Sequence, residues 1–234
     1  MDNYNGLNEF QQDYTYGGVD SVSINRVMVK TFLFTFIALA ITAATSIAVN
    51  PMVAIQLVRG GTFFGIFILE IAIVLGGNFA ISRNIPGLAA GLYVVYSIIN
   101  GVTLSIIFLA YTASSITAVF FITASMFGIM ALIGATTKMD LSGIGSICIM
   151  GLLGIIIASV VNMFMKSTAF DFVITFIGIF IFIGLTAWDV QRTKRMVEEG
   201  FLEENSIALF SAFNLYLDFI NLFLKLLRLM GKRR

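Results

Sequence analysis

An ionisable side chain inside a long apolar run is costly to keep and marks a functional site by default. Three carboxylates of this sequence stand in that position: Glu70 in "FILEIA", Asp189 in "TAWDV" and Asp218 in "NLYLDFINLF". Around Asp218 the polar residues Ser211, Asn214, Asn221 and Lys225 complete a series with spacings of 3, 4, 3 and 4, which is one stripe at 3.6 residues per turn. Lipid would reject such a stripe, so its helix is predicted to turn it inward and to lie at the centre of a bundle. Asp171, Thr175, Gly178 and Thr186 share one sector with Asp189 when advanced by about 100° per residue. A charged link with Gly200 in it joins the two aspartates. If the chain turns between Gly200 and Ser206, a rise of about 1.5 Å per residue brings Asp189 and Asp218 to nearly the same depth on adjacent antiparallel helices. Two carboxylates in contact away from bulk water cannot both be ionised at low cost, so one proton is shared and the pair titrates as a unit. Such a pair is a proton-operated switch that needs no histidine.

The elements that must position these groups are membrane helices. Hydrophobic residues make up 59% of the 234 and charged ones 12%, with a mean hydropathy of +0.97, against about 25% charged in a soluble domain. Seven stretches approach or exceed the roughly 20 apolar residues that a spanning helix needs: Thr31 to Val49, Thr62 to Ile81, Ile85 to Ala110, Ile116 to Ala135, Ile144 to Met165, Phe172 to Trp188, and Ile207 to Leu224. Apolar runs of this length fit helices, not the alternating strands of a barrel. The predicted fold is an all-α bundle of seven membrane helices with the C-terminal helix central. Residues 26–231 form a single transmembrane domain, preceded by a polar, flexible tail at 1–25 and followed by a basic end at 232–234. The tail lacks the basic start of a secretory signal, so the first helix is retained. Pro51 and Pro86, the only prolines, stand at the edges of hydrophobic runs, where helices begin or end.

Composition removes several function classes. The absence of histidine takes away the commonest general base and metal ligand, and with them zinc-hydrolase and serine-triad readings. The lone Cys148 excludes an intramolecular disulfide and reads as a small buried hydrophobe. A net charge of +1 offers no footprint for nucleic acid. Asn100, with Tyr93, Tyr96 and Thr103 on its face, reads as interhelical glue, and Gly87-x-x-x-Gly91 as close packing.

Orientation follows from basic residues at helix ends. With a cytoplasmic N-terminus, Arg26, Lys30, Arg83, Lys138, Arg192, Lys194 and Arg195 lie inside, against Arg59 and Lys166 outside. The last five basic residues follow the seventh segment and would lie outside, against the rule. A re-entrant last helix would avoid this, but a full crossing is the expectation, because six earlier helices have already set the orientation.

Three segments, "LYLDFINLFLKLLRLMG" (215–231), "TAWDVQRTKRM" (186–196) and the run from Gly101 to Ser142 that ends "ALIGATTKMDLS", resemble the transmembrane Bax inhibitor motif family in its compact prokaryotic form. The resemblance covers nearly the whole chain after the tail. It implies a seven-helix bundle in which an aspartate pair on the sixth and seventh helices controls a pore by protonation, in members that act as pH-sensitive calcium leak channels. By motif Asp189 and Asp218 match that pair. Arg83 of "ISRNIPG" is the nearest match to the family's latch arginine at the end of the second helix, across a gap of about two residues, and Glu70 resembles a family acid. Asn214 and Asn221, with Glu70, are candidates for lining a cation path.

The expected function is therefore a calcium leak, with Asp189 and Asp218 as pH sensor and as a transient oxygen site for Ca²⁺. A proton-coupled Ca²⁺/H⁺ exchanger using the same pair is the alternative. An intramembrane aspartyl protease would also need two aspartates, but "TAWD" stands where such proteases carry a GxGD-like signature. A regulatory membrane protein acting through partners is the remaining class. No enzyme activity and no cofactor are expected. The expected surroundings are a lipid bilayer, Ca²⁺ and protons, with the chain working as a monomer in the cytoplasmic membrane of a prokaryote.

Overall fold

A computed structural model describes residues 21–59, 62–200 and 202–234. Their regular structure is helical apart from one isolated bridge: α1 Ser21–Ala48, α2 Pro51–Arg59, α3 Thr62–Ser82, α4 Pro86–Leu104, α5 Ile107–Ala110, α6 Ala113–Thr136, α7 Ser142–Met165, α8 Thr168–Glu199 and α9 Glu204–Met230. With α4 and α5 taken as one span, seven of these units among the described residues are long and apolar enough to cross a bilayer. Phe36, Phe64, Phe164 and Phe180 lie exposed on the outside of the bundle, a surface that only hydrocarbon would tolerate. The chain is a multi-pass integral membrane protein with an all-α fold.

The last helix is the axis of the bundle. In α9, 67% of the most apolar window is buried, whereas the other six spans reach between 17% and 39%. It packs against α1, α4, α6 and α8, and Leu215, Tyr216, Leu222 and Leu227 have almost no exposed surface. Tyr216 reaches the Thr42 hydroxyl at 2.7 Å, and Thr42 donates in turn to the Ser97 carbonyl at 2.9 Å, so one chain of hydrogen bonds joins α9, α1 and α4. Tyr93 donates to the Ala212 carbonyl at 3.0 Å, and edge-on contacts set its ring 5.4 Å from Phe213 and 5.8 Å from Tyr216.

Two glycines bring neighbours close to α8. A Cβ at Gly134 would overlap the Ala187 carbonyl, and one at Gly145 would overlap the indole of Trp188. In membranes such small residues let backbones meet where no hydrophobic force drives helices together.

Several boundaries differ from the apolar counts. Helix α8 does not stop near Trp188 but continues through "DVQRTKRMVEE" to Glu199, because hydropathy registers where a helix leaves hydrocarbon and not where its backbone ladder ends. For the same reason α1 begins at Ser21, so only residues 1–20 of the predicted tail remain, and these lie outside the described residues. The third span is broken at Ser105 and Ile106, where the Ser105 amide is shared between the Gly101 and Val102 carbonyls, a tightening towards 3₁₀ geometry. The short helix α2, between the first two spans, was not expected. Both prolines open helices, Pro51 in α2 and Pro86 in α4.

The C-terminal end is anchored. The Thr112 amide donates to the Lys232 carbonyl at 3.1 Å and the Arg234 amide to the Ala110 carbonyl at 3.1 Å, around the bridge between Tyr111 and Arg233. Helix α9 thus runs unbroken to the end of the bundle that holds the α5–α6 connection and does not re-enter.

Candidate functional site at the α8–α9 hairpin

Helices α8 and α9 form a hairpin closed at Gly200, whose φ of 66° is the left-handed conformation that glycine adopts freely; its amide caps α8 through the Met196 carbonyl at 3.3 Å. This turn sets the register of the two helices and brings the carboxyl groups of Asp189 and Asp218 within hydrogen-bonding reach of each other. Asp218 is 4% exposed and Asp189 8%. One oxygen of Asp218, Oδ2, is buried with no hydrogen-bond partner among the described residues. Phe182, Leu185, Leu215 and Leu222, all buried on the same two helices, belong to the apolar packing that keeps the hairpin dry.

Among the described residues no basic side chain forms a salt bridge with the pair, although the charge of Arg192 acts on Asp189 through space. Arg192, one turn from Asp189, forms no salt bridge with it; its guanidinium lies over the rings of Trp188 and Phe210, each at 5.1 Å. Two buried carboxylates held together without a salt-bridged counter-ion favour sharing a proton or recruiting a cation. They are joined by no third histidine, cysteine, aspartate or glutamate among the described residues. A hard cation there would complete its shell with water or carbonyl oxygen, and would be held loosely.

The remaining predicted residues fall elsewhere. Arg83 is exposed with its guanidinium 5.4 Å above the Phe79 ring, and the structure does not bring it to the aspartates; it lies just past the last turn of α3, at the gap in the motif match. Glu70, on α3, accepts a hydrogen bond from Thr103 at 3.1 Å. Asn214 and Asn221 are half-buried on α9, and the Asn221 amide donates to its own helix at the Leu217 carbonyl, 2.8 Å away. Cys148 is buried beside Gly184 and near Asp218, a neighbour that its sequence context did not single out.

A brace below the pair was missed as well. Gln191, two residues beyond Asp189, accepts from the Leu141 amide at 2.8 Å and donates to the Met139 carbonyl at 2.7 Å. Arg195 bonds Asp140 and Ser142, and Lys194 bonds the Ala135 carbonyl. The α6–α7 connection is thus fastened to the end of α8. The Ser142 amide, then the Arg195 guanidinium, hold the exposed Asp140 carboxyl down at about 2. The sequence signal for this brace was the run of polar residues after Asp189, read as a link because it follows the apolar segment.

Comparison with known proteins places these features in a group. The family described as "Inhibitor of apoptosis-promoting Bax1" matches residues 24–234. The inner membrane protein YbhL of Escherichia coli strain K12 is 43% identical over 193 residues, covering 80% of this chain and 82% of that protein. An uncharacterized protein of Borreliella burgdorferi is 40% identical over 216 residues, covering 90% and 93%, and one of Caulobacter vibrioides 34% over 250 residues, covering 97% and 100%.

Proposed function

The chain belongs to the family of inhibitors of apoptosis-promoting Bax1, and from that footing we propose that it is a pH-sensitive calcium leak channel gated by Asp189 and Asp218. The observation that carries the reading is the buried, facing pair without a salt-bridged basic partner on the hairpin that forms the bundle axis. While one proton is shared, a charge-assisted hydrogen bond ties α8 to α9. Full protonation replaces it with a weaker neutral contact, so acidification loosens the hairpin and opens the route. Ca²⁺ competes with protons for the pair, which in its ionised form is a transient oxygen site and not a resident metal centre. Glu70, on α3, is a further acid for a cation path, and no enzymatic step is assigned.

The basic-residue asymmetry puts the N-terminus in the cytoplasm, and the inner-membrane relative supports the cytoplasmic membrane of a bacterium. The chain works there as a monomer.

The test uses purified protein in liposomes with a trapped calcium indicator. Ca²⁺ entry down its own gradient, with no proton gradient imposed, supports a leak. Entry only when a proton gradient drives it replaces the leak with exchange at the same pair, and no entry under either condition rejects both.

A further inference from the structure

Helices α1 and α6 both pack on α9 but make little contact with each other, and an apolar groove runs between them with α9 as its floor. Leu39, Ala43, Phe120 and Phe219 line both the half towards Phe127, about 500 Å³, and the half towards α5, about 360 Å³. The two halves are therefore continuous. The α1 wall extends from Phe32 to Ile47, about 22 Å of helix, which is longer than one leaflet's share of a roughly 30 Å hydrocarbon core. Phe36, Ala43, Ile47 and Phe121 are exposed along it, so the groove opens sideways to lipid.

The end of this groove sets it apart from the rest of the lipid-facing surface. Ile107, Phe108, Ala113 and Ile116 line it at the α5–α6 connection, and the C-terminal tail is pinned to that same connection. The Lys232 amide donates to the Ser115 hydroxyl at 3.0 Å, beside the bonds that join Lys232 to Thr112 and Arg234 to Ala110. Lys232, Arg233 and Arg234 are exposed, and no acid among the described residues forms a salt bridge with them. A carboxylate at the chain end offsets at most one of these charges. Backbone bonds thus hold unpaired cations at the mouth of an apolar groove long enough for an acyl chain. The groove between α1 and α4 has no such end, because the cations beside it, Arg26 and Lys30, are engaged by Glu204 and Asn205.

The geometry points to a binding site for one anionic phospholipid, with an acyl chain in the α1–α6 groove and its phosphate on Lys232, Arg233 and Arg234. Apolar contact seats the chain but selects no headgroup, since any lipid tail offers it. The basic tail makes the selection: each cation near a membrane surface adds attraction for anionic lipid, and the guanidinium fork matches phosphate oxygens in pairs. The bound lipid lies against Phe219, the neighbour of Asp218, and fills the gap where α1 and α6 part. None of this depends on the calcium-leak reading.

The test is native mass spectrometry of the full-length protein in detergent, titrated with dioleoyl phosphatidylglycerol and, separately, with dioleoyl phosphatidylcholine. Expected is one phosphatidylglycerol per chain, bound at least about tenfold more tightly than phosphatidylcholine. Glutamine at Lys232, Arg233 and Arg234 together is expected to abolish that preference, whereas Arg233→Lys with Arg234→Lys keeps it. Ala43 is exposed and lines both halves, so Ala43→Trp fills the groove from the lipid side and is expected to weaken both lipids roughly tenfold. Ala124→Leu repeats the block from the α6 wall, should the tryptophan variant fail to fold. Equal affinity of the wild type for the two lipids would overturn the proposal, as would a preference that survives the glutamine substitutions. Wild-type binding by the groove variants would overturn it too, because charge on the tail alone would then account for the lipid. So would a dimer that excludes lipid from the groove.

Discussion

Asparagine in place of Asp189 or Asp218 keeps a hydrogen-bonding group of nearly the same volume and removes its titration. Each single variant, Asp189→Asn and Asp218→Asn, is expected to fold and to lose the pH dependence of Ca²⁺ flux between about pH 5 and pH 8, measured in liposomes. Wild-type pH sensitivity retained in both would make these carboxylates structural and would turn the search for a sensor to Glu70. Asp140 gives a second, separable pH effect. Its folded carboxyl is held down at about 2, below the value of about 3.9 for a free aspartate. A depressed carboxyl stabilises above its unfolded value and loses that contribution as pH falls through the folded one. The brace on the α6–α7 connection therefore stays whole from pH 8 down to about pH 4 and weakens towards about pH 2. Any change of flux between pH 5 and pH 8 cannot come from Asp140. At neutral pH, Asp140→Asn removes the Arg195 ion pair, and faster tryptic cleavage after Lys138 is the expected sign of a loosened connection. Glu70, Asp189 and Asp218 were legible from sequence because charge in an apolar run needs no structure to be conspicuous. Arg192 and Gln191 were not, since they follow the apolar run and their roles depend on Phe210 and Met139, which lie far away in sequence.

At the scale of the elements, α8 is held by close approach. Gly134→Ala would drive a methyl group into the Ala187 carbonyl and Gly145→Ala would drive one into Trp188. Each is expected to cost about 1–3 kcal/mol, read as a lower midpoint of thermal unfolding in detergent. Tyr216→Phe removes the hydroxyl that joins Thr42 and leaves the ring packing in place. The expected loss is about 1 kcal/mol, in the same assay. The polar stripe on α9 predicted a central helix correctly, but not how completely it is enclosed. Ser211 and Asp218 are buried together with Leu215 and Leu222, so the apolar faces also meet helices and not lipid. An amphipathic stripe shows which side must avoid lipid and says nothing about what covers the other sides.

For the molecule as a whole, an odd number of crossings separates the two ends of the bundle. A reporter fused before Thr31 is expected on the cytoplasmic side and one fused after Arg234 on the opposite side. The C-terminal strand-like pairing with Tyr111 and Thr112 makes the same point, since that connection follows the third crossing. A cytoplasmic C-terminal reporter would require α9 to leave the bundle on the side it entered.

By itself the sequence determined that this chain is a membrane protein with seven helices long and apolar enough to span a bilayer, and it singled out acids in the sixth and seventh of them. Those conclusions follow from local quantities: run length, charge density, and a spacing that any helix converts into a face. It also placed Asp189 and Asp218 at one depth, because a glycine turn and a fixed rise per residue leave little freedom in a hairpin. The tertiary structure decided which partners those groups have. Arg83 turns to Phe79 and Arg192 to Trp188 and Phe210, while Lys225 lies across Gly178. Each of these depends on how helices rotate about their axes and how closely they approach, and spacing along one chain segment carries no record of that.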